Sequence, residues 1–239
     1  MSPLDLDNIT RMDSKLLRRI HFLQNLAGTK LSRVARTAYQ RDFPAKSTIF
    51  SKAQSGNHIF FVISGRVRIF TRSQGKKRKT FAYLSPGEFF GELSMVDGHT
   101  RSASAEAVVD SRLLIIRKSA FNKLLLSDAK LSCHLLRTVS ERLRRANEEI
   151  ESLLFRNMLG RVSSMLCALS RSGKKFRGGL LLKEHYTQQE LADLVGTTRE
   201  PLTRAISTLR RAQILEVHDG RYLVKNPQKL SGLCLPLTS

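Results

Sequence analysis

The chain is short of acidic residues, of long apolar runs and of cysteine. Its 239 residues carry only 20 Asp and Glu against 41 Lys and Arg, a formal charge of +21. An excess of that size asks for a polyanion or for another physical reason. Apolar segments such as Leu113–Ile116 and Leu180–Leu182 fall far below the roughly 20 apolar residues that span a bilayer, so no membrane partner is expected. The first ten residues hold Asp5 and Asp7 and lack a basic region followed by an apolar stretch, which removes a secretory signal and places the protein in the cytoplasm. Three scattered cysteines, Cys133, Cys167 and Cys234, form no C-x-x-C pair. They read as buried or tolerated thiols rather than as a disulfide scaffold or metal cluster. A nucleophile–base pair, a metal-ligand cluster and a Walker-type loop are also missing, so an enzyme is not expected. The 41% hydrophobic fraction argues against disorder, and one or two domains fit the length.

What is present falls into four zones. From about 12 to 38, Met12, Leu16, Leu17, Ile20, Leu23, Leu26, Leu31, Val34 and Ala35 read as short helices broken by Gly28. From about 40 to 117 the pattern changes to strands at 47–50, 58–63, 66–72, 79–84, 102–107 and 111–117. The turns between them are Ser55-Gly56, Ser64-Gly65, Gln74-Gly75, Pro86-Gly87 and Asp97-Gly98. That spacing suits a small antiparallel barrel or sandwich. Ile59 to Ile63 is continuously apolar, as in a strand covered on both faces. Val67 and Ile69 alternate with Arg66 and Arg68, as in a strand with one wet face.

A long charged helix at about 130–156 follows. Val139, Leu143, Ala146, Ile150 and Leu153 are spaced four, three, four and three, the a/d repeat of a coiled-coil seam. Another copy of the same helix is the simplest partner for such a stripe, and packing on its own barrel is the alternative. The predicted domains are therefore 1–156, including the long helix, and 157–239.

The last zone reads as a helix over 159–169, a loop over 170–179, two helices over 187–195 and 198–211, and a hairpin over 215–224 turning at Asp219-Gly220. This is the pattern of a winged helix-turn-helix. Thr187 and Glu190 are spaced as a capping box, Gly196 sits where a positive φ ends the first helix, Thr198 can cap the second, and Pro201 falls in its first turn. Leu191, Ala192, Val195, Leu202, Ile206 and Leu209 would pack the two helices together. Arg199, Glu200, Thr203, Arg204 and Ser207 would then face outward. Arg199 and Arg204 suit guanine edges and Glu200 a cytosine amino group, which favours a G·C-containing half-site. His218, Arg221 and Lys225 on the hairpin suit phosphates.

At these residues the chain resembles the cAMP receptor protein/FNR family of bacterial transcription regulators, over about residues 20–228. Arg199, Glu200 and Arg204 match that family's recognition-helix motif, and the stretch 87–105, GEFFGELSMVDGHTRSASA, is similar to its phosphate-binding cassette. The resemblance implies an α+β protein with an N-terminal cyclic-nucleotide-binding β-roll (jelly-roll-like), a long dimerisation helix and a C-terminal winged helix-turn-helix. It implies a homodimer that binds double-stranded DNA at a TGTGA-like inverted repeat, its recognition helices about 34 Å apart, and that recruits or blocks RNA polymerase. The exposed 170–179 loop lies where relatives touch polymerase, and a mere flexible connection is the alternative. Thr187, Gln189, Thr198, Arg199, Glu200, Thr203, Arg204, His218 and Arg221 are the expected DNA contacts.

The implied ligand site is Gly91, Glu92, Leu93, Arg101, Ser102, Ala103 and Asn147. Gly87 and Gly91 let backbone approach a ligand, and a turn with free N–H groups at 101–103 makes a small anion site. Arg101 would pair with the cyclic phosphate, Ser102 would donate to it, and Glu92 would accept the ribose 2′-OH. Glu92 and Arg101 as a structural ion pair is the alternative. Ala146-Asn147 stands where cAMP-binding relatives carry Thr-Ser or Thr-Asn, so cGMP, a cyclic dinucleotide or no ligand stay open beside cAMP. The ligand is allosteric, and no cofactor is expected. An iron–sulfur sensor is excluded because Cys133 is the first cysteine, and His99 alone does not make a haem site.

The charge is not concentrated on the DNA-reading half. Residues 157–239 hold 13 Lys and Arg against 6 Asp and Glu, whereas residues 1–156 hold 28 against 14. Arg18, Arg19, Arg33, Arg36, Arg41 and the run 76–79 read as a general field that raises nonspecific affinity and salt dependence. A basic nonspecific nucleic-acid-binding protein is the rival reading, as is a ligand-independent regulator.

Overall fold

The structure, a computed structural model, describes residues 17–73 except 19, 21 and 25, residues 78–234, and the backbone of Thr10 and Arg11. Met12, Leu16, Arg19, the Gln74-Gly75 turn, Lys76 and Lys77 lie outside the described residues. The chain divides into two compact units, residues 1–71 with 81–139 and residues 72–80 with 140–239.

The N-terminal half contains strands β1 (Thr10–Arg11), β2 (Ala38–Phe43), β3 (Thr48–Phe50), β4 (His58–Ser64), β5 (Val67–Arg72), β6 (Arg78–Leu84), β7 (Phe89–Phe90), β8 (Ser104–Ala107) and β9 (Ser111–Arg117). They form two sheets, ordered β1-β2-β9-β4-β7 and β3-β8-β5-β6. Helices α1 (Gly28–Ala35), α2 (Leu93–Val96) and α3 (Lys118–Ser127) accompany them, and α4 (Ala129–Phe155) is the long helix.

The unbroken apolar run of β4 is covered on both faces. Ile59 and Phe61 join one core with Phe22, Phe89, Phe121, Leu131 and Leu135, while Phe60 and Val62 join a second with Phe43, Phe90 and Ala105. The neighbouring β9 divides in the same way, Leu114 and Ile116 to the first core and Leu113 and Ile115 to the second. Two adjacent strands buried on both faces cannot alternate polar with apolar, which is why this stretch reads as continuous apolar sequence.

Three expectations need correction. Between 17 and 26 the chain makes turns, with Leu23 N donating to Ile20 O and Leu26 N to Leu23 O, and Gly28 opens α1 rather than breaking a helix. Leu17, Ile20, Phe22, Leu23 and Leu26 nonetheless enter the first core, so their burial was legible and their conformation was not. Secondly, the charged side of β5 is wet only at its end, where Arg72 is exposed. Arg68 is buried, and its Nη2 donates to Glu106 Oε1 on β8 at 2.8 Å, with the guanidinium 5.0 Å from the Phe70 ring. Strand alternation sets a side chain's face, but only the paired strand decides whether that face is covered. Thirdly, Lys174–Phe176 (β10) and Gly179–Leu181 (β11) pair as a hairpin where a loop was expected. Arg177 (φ 44°) and Gly178 (φ 77°) supply the two positive angles that its tight turn demands.

The C-terminal unit is built on α5 (Met158–Ser170). The helices α6 (Gln188–Val195) and α7 (Arg199–Arg211) follow, then strands β12 (Leu215–His218) and β13 (Arg221–Val224) and the short helix α8 (Pro227–Gly232). One core joins Val162, Leu166, Leu191, Ala192, Val195, Leu202, Ile206, Leu209, Val224 and Leu230. The cysteines are not all isolated thiols. Cys133 is exposed on α4, but Cys167 on α5 and Cys234 beyond α8 bring their sulfurs to 3.5 Å.

The buried Arg68–Glu106 pair yields a prediction about the β-roll. Glu106→Ala strips a buried guanidinium of its carboxylate and is expected to cost about 3 kcal/mol of urea-unfolding stability. Replacing both residues together, as Arg68→Met with Glu106→Leu, is expected to recover most of that loss.

Candidate functional site

The stretch from β7 through α2 to β8 wraps around one side chain. Arg101 is only 5% exposed. Its Nη1 donates to Gly91 O (2.8 Å) and Ser94 Oγ (2.8 Å), and its Nη2 donates to His58 O (2.7 Å). The guanidinium carbon lies 4.3 Å from the Phe50 ring centroid and 5.5 Å from that of Phe60, within cation–π range. Its Nε has no acceptor among the described residues. Burial draws the Arg101 guanidinium down to about 10, and the Glu92 carboxylate opposes that shift. Even so it is cationic at neutral pH. His58 is held below its usual value by burial, with the charges of Arg117 and Arg101 adding to the effect, so its ring adds no cation there.

Glycine makes this arrangement possible at two positions. At Gly91 (φ +83°) a Cβ would stand 2.6 Å from Arg101 Nη1, and at Gly56 it would stand 2.0 Å from Ser94 Oγ and 3.2 Å from Arg101 Cζ. The gap at Gly91 is thus filled by the arginine. Gly87 (φ +94°) has nothing within 4 Å and serves only its turn. The expected free N–H at 101 is not free either, since Arg101 N donates to Gln54 O at 2.8 Å.

Of the remaining expected ligand residues, Glu92 and Ala103 are buried while Leu93 and Ser102 are exposed. The buried carboxylate, buried guanidinium and exposed hydroxyl of Glu92, Arg101 and Ser102 are a donor and acceptor set that fits a small anion bearing a sugar hydroxyl. Asn147 is exposed on α4.

On that helix the seam changes character along its length. Val139 packs against the N-terminal core, whereas Leu143 (61%), Ile150 (55%) and Leu153 (51%) are exposed, as is Ala146. Leu136, Leu154 and Phe155 are exposed as well. Packing on the protein's own barrel therefore accounts for one position of the five.

The second site is the α6–α7 pair. The capping box is complete, Thr187 accepting from Glu190 N and Glu190 accepting from Thr187 N. Gly196 ends α6 at φ 77° with its N–H on Ala192 O. Thr198 holds the cap position of α7 in an extended conformation, although its side chain makes no capping bond. Arg199, Glu200, Arg204 and Ser207 are exposed and Thr203 half-buried. Arg204 Nη2 and Glu200 Oε1 pair at 3.1 Å one turn apart, an exposed contact worth little to stability.

Gln188 was missed in the sequence, where Gln189 stood out instead. Gln188 Oε1 accepts from Thr203 Oγ1 (3.0 Å) and from Arg199 Nε (3.3 Å), tying the start of α6 to the start of α7. Gln189 Nε2 donates to the buried Asp193 on its own helix. The available signal was the N1 position itself, because the first residue after a cap points past the helix end. On the hairpin, His218 Nε2 lies 3.2 Å from Asp219 and its ring 4.7 Å from that of Phe176, and Arg221 is half-buried. Asp219 (φ 47°) and Gly220 (φ 73°) form the expected turn.

Comparison with known proteins matches residues 40–128 to the cyclic nucleotide-binding domain and residues 160–233 to the Crp-like helix-turn-helix domain. The chain is similar to the cyclic AMP receptor protein of Thermus thermophilus, 33% identical over 198 residues that cover 83% of this chain and 89% of that one. It is similar to a CRP-like cAMP-activated global transcriptional regulator of Mycobacterium tuberculosis, 27% identical over 218 residues, 91% of this chain and 97% of the relative. In fold it is similar to a CooA mutant from Carboxydothermus hydrogenoformans, with a TM-score of 0.77 at 21% identity over 95% of this chain and 98% of that one. No helix among the described residues is long and apolar enough to cross a membrane.

The two cassette glycines are separable by experiment. Both Gly87→Ala and Gly91→Ala force a side chain into a positive φ, at about 1 kcal/mol. Only Gly91→Ala also collides with Arg101, so chemical unfolding is expected to show a loss about twice as large or more for that variant.

Proposed function

The chain belongs to the CRP/FNR family of transcription regulators, and from that premise we propose a homodimer whose binding to an inverted-repeat operator is gated by a cyclic nucleotide, with cAMP the first candidate. The observation that carries the ligand assignment is the buried Arg101, a cation that donates to the neutral oxygens of Gly91, Ser94 and His58, feels the Glu92 carboxylate, and keeps an Nε without an acceptor among the described residues. A cyclic phosphate supplies an acceptor for that open Nε and adds to the negative charge of the Glu92 carboxylate. Glu92 is assigned to the ribose hydroxyl, and Ser102 to the phosphate with Gly91, Leu93 and Ala103 shaping the turn. The names of the Thermus and Mycobacterium relatives support cAMP over other cyclic nucleotides.

The operator assignment rests on Arg199, Glu200 and Arg204 at the N-terminal end of α7. Thr203 and Gln188 hold Arg199, while Thr187, Gln189, Thr198, His218 and Arg221 are assigned to the phosphate backbone. Leu143, Ala146, Ile150 and Leu153 are assigned to the seam with the second copy. An exposed apolar stripe at heptad spacing gains most by meeting itself. A regulator of this kind works in the cytoplasm, where its DNA and RNA polymerase are. The β10–β11 hairpin is the proposed surface for polymerase.

Two measurements test these assignments. Isothermal titration with cAMP, cGMP and cyclic di-GMP is expected to give heat with cAMP first, and Arg101→Ala is expected to weaken that binding at least 100-fold. Absence of binding by the wild type to all three would leave a ligand-independent regulator. On DNA, Arg199→Ala or Arg204→Ala is expected to cost about 1–3 kcal/mol on a TGTGA palindrome. A scrambled duplex should lose far less. Equal affinity of the wild type for both duplexes would favour a nonspecific basic binder.

A further inference from the structure

The C-terminal unit contains a second constellation that neither the ligand turn nor the recognition helix uses. Cys167 lies on α5 and Cys234 just beyond α8, and their sulfurs are 3.5 Å apart although 67 residues separate them in sequence. Both are half-buried. Around them stands a short polar chain. Arg156 Nη1 donates to Ser164 Oγ at 2.6 Å, and the Ser164 side chain and the Arg156 charge both reach Cys234. Arg156 Nε is buried with no acceptor among the described residues. A guanidinium in that position favours an anion beside it.

We propose that Cys167 and Cys234 are a disulfide-forming modification site, oxidised by a hydroperoxide and restored by a dithiol. Closing the bond requires the sulfurs to approach from 3.5 Å to about 2.05 Å, a shift that side-chain rotation and a small movement of the short α8 end can supply. The two thiols divide the chemistry. Cys234 Sγ donates toward Cys167 Sγ and Leu230 O, and its contact with Cys167, with Ser164 and Arg156 beside it, pulls the Cys234 thiol down to about 6 against the opposing effect of burial. Cys167 keeps its proton, pushed up by the same hydrogen bond and by burial, with Arg171 opposing.

Cys234, the sulfur beside Ser164 and the Arg156 guanidinium, is assigned the attack. Its thiolate attacks one oxygen of ROOH. An S–O bond forms, the O–O bond breaks, and the departing alkoxide takes the proton that Cys234 had released, leaving as ROH. Cys167 sulfur then attacks the sulfenic sulfur. The S–S bond forms, the S–O bond breaks, and hydroxide leaves with the Cys167 proton as water. Two thiols lose two electrons, and one peroxide is reduced to alcohol and water.

The link closes residues 167–234 into a ring that contains α6, α7 and the hairpin. Oxidation thus ties the chain's C-terminal turn covalently to the helix on which the recognition helix packs. A ring of that length restricts the unfolded chain far more than the folded one.

The test uses the full-length protein and hydrogen peroxide. Titratable thiols in denaturant are expected to fall from three to one, the mass to fall by about 2 Da, and peptide mapping to place the link at Cys167–Cys234, all reversed by dithiothreitol. Cys133→Ser is expected to form the same link. Cys167→Ser is expected to stop at a dimedone-reactive sulfenic acid on Cys234. The oxidised wild type is expected to melt about 5 °C or more above the reduced protein. Three thiols surviving peroxide, a link through Cys133, or a link without the rise in melting temperature would each overturn the proposal.

Discussion

The N-terminal unit is organised around the cost of burying one positive charge. Arg101 has left water for a site lined by Phe50 and Phe60. A guanidinium there is tolerable only if its N–H groups find oxygen. Three do, and each acceptor constrains the chain around it. The carbonyl of Gly91 turns inward because the residue can adopt φ +83°, that of His58 is available at the first residue of β4, and Ser94 is set by the first turn of α2. The Nε–H is left open among the described residues. The cassette is thus a cage around a cation whose positive field is incompletely answered, and this is the property a phosphate site needs.

The reading head solves the opposite problem, holding charges out in water with little freedom. A complete capping box and an αL glycine fix the angle between α6 and α7 from their ends, and the apolar residues between them fill one core. Arg199 is then restrained by Gln188 rather than by burial, so it stays exposed to water. The two sites use arginine in contrasting ways. One is buried among carbonyl and hydroxyl oxygens, and the other is exposed and steadied by a neighbouring amide.

Much of this was legible in the sequence where local chemistry decides the backbone. The Thr187–Glu190 box, Gly196 and Asp219-Gly220 each specify one conformation with residues adjacent in sequence. The uninterrupted apolar run of β4 could announce two-sided burial for a similar reason, because no polar residue interrupts it. The failures share a different cause. Arg68 reads as solvated until β8 brings Glu106 across from it, and the 170–179 segment reads as a loop because a short hairpin lacks enough residues to show alternation. The role of Gln188 depended on where the second helix begins relative to the first, which spacing alone does not give.

The sequence by itself determined the order of parts, the two-sided burial of β4 and the capping of the helix pair, because each depends on residue type at short range. Tertiary structure alone decided that Arg101 fills the gap beside Gly91, that Arg68 and Glu106 meet, and that Cys167 and Cys234 face each other. Those contacts join residues from 10 to 67 positions apart, and closing such distances is the work of the whole core rather than of any motif. The scarcity of cysteine pointed to inert thiols, whereas the fold makes a pair of two of them.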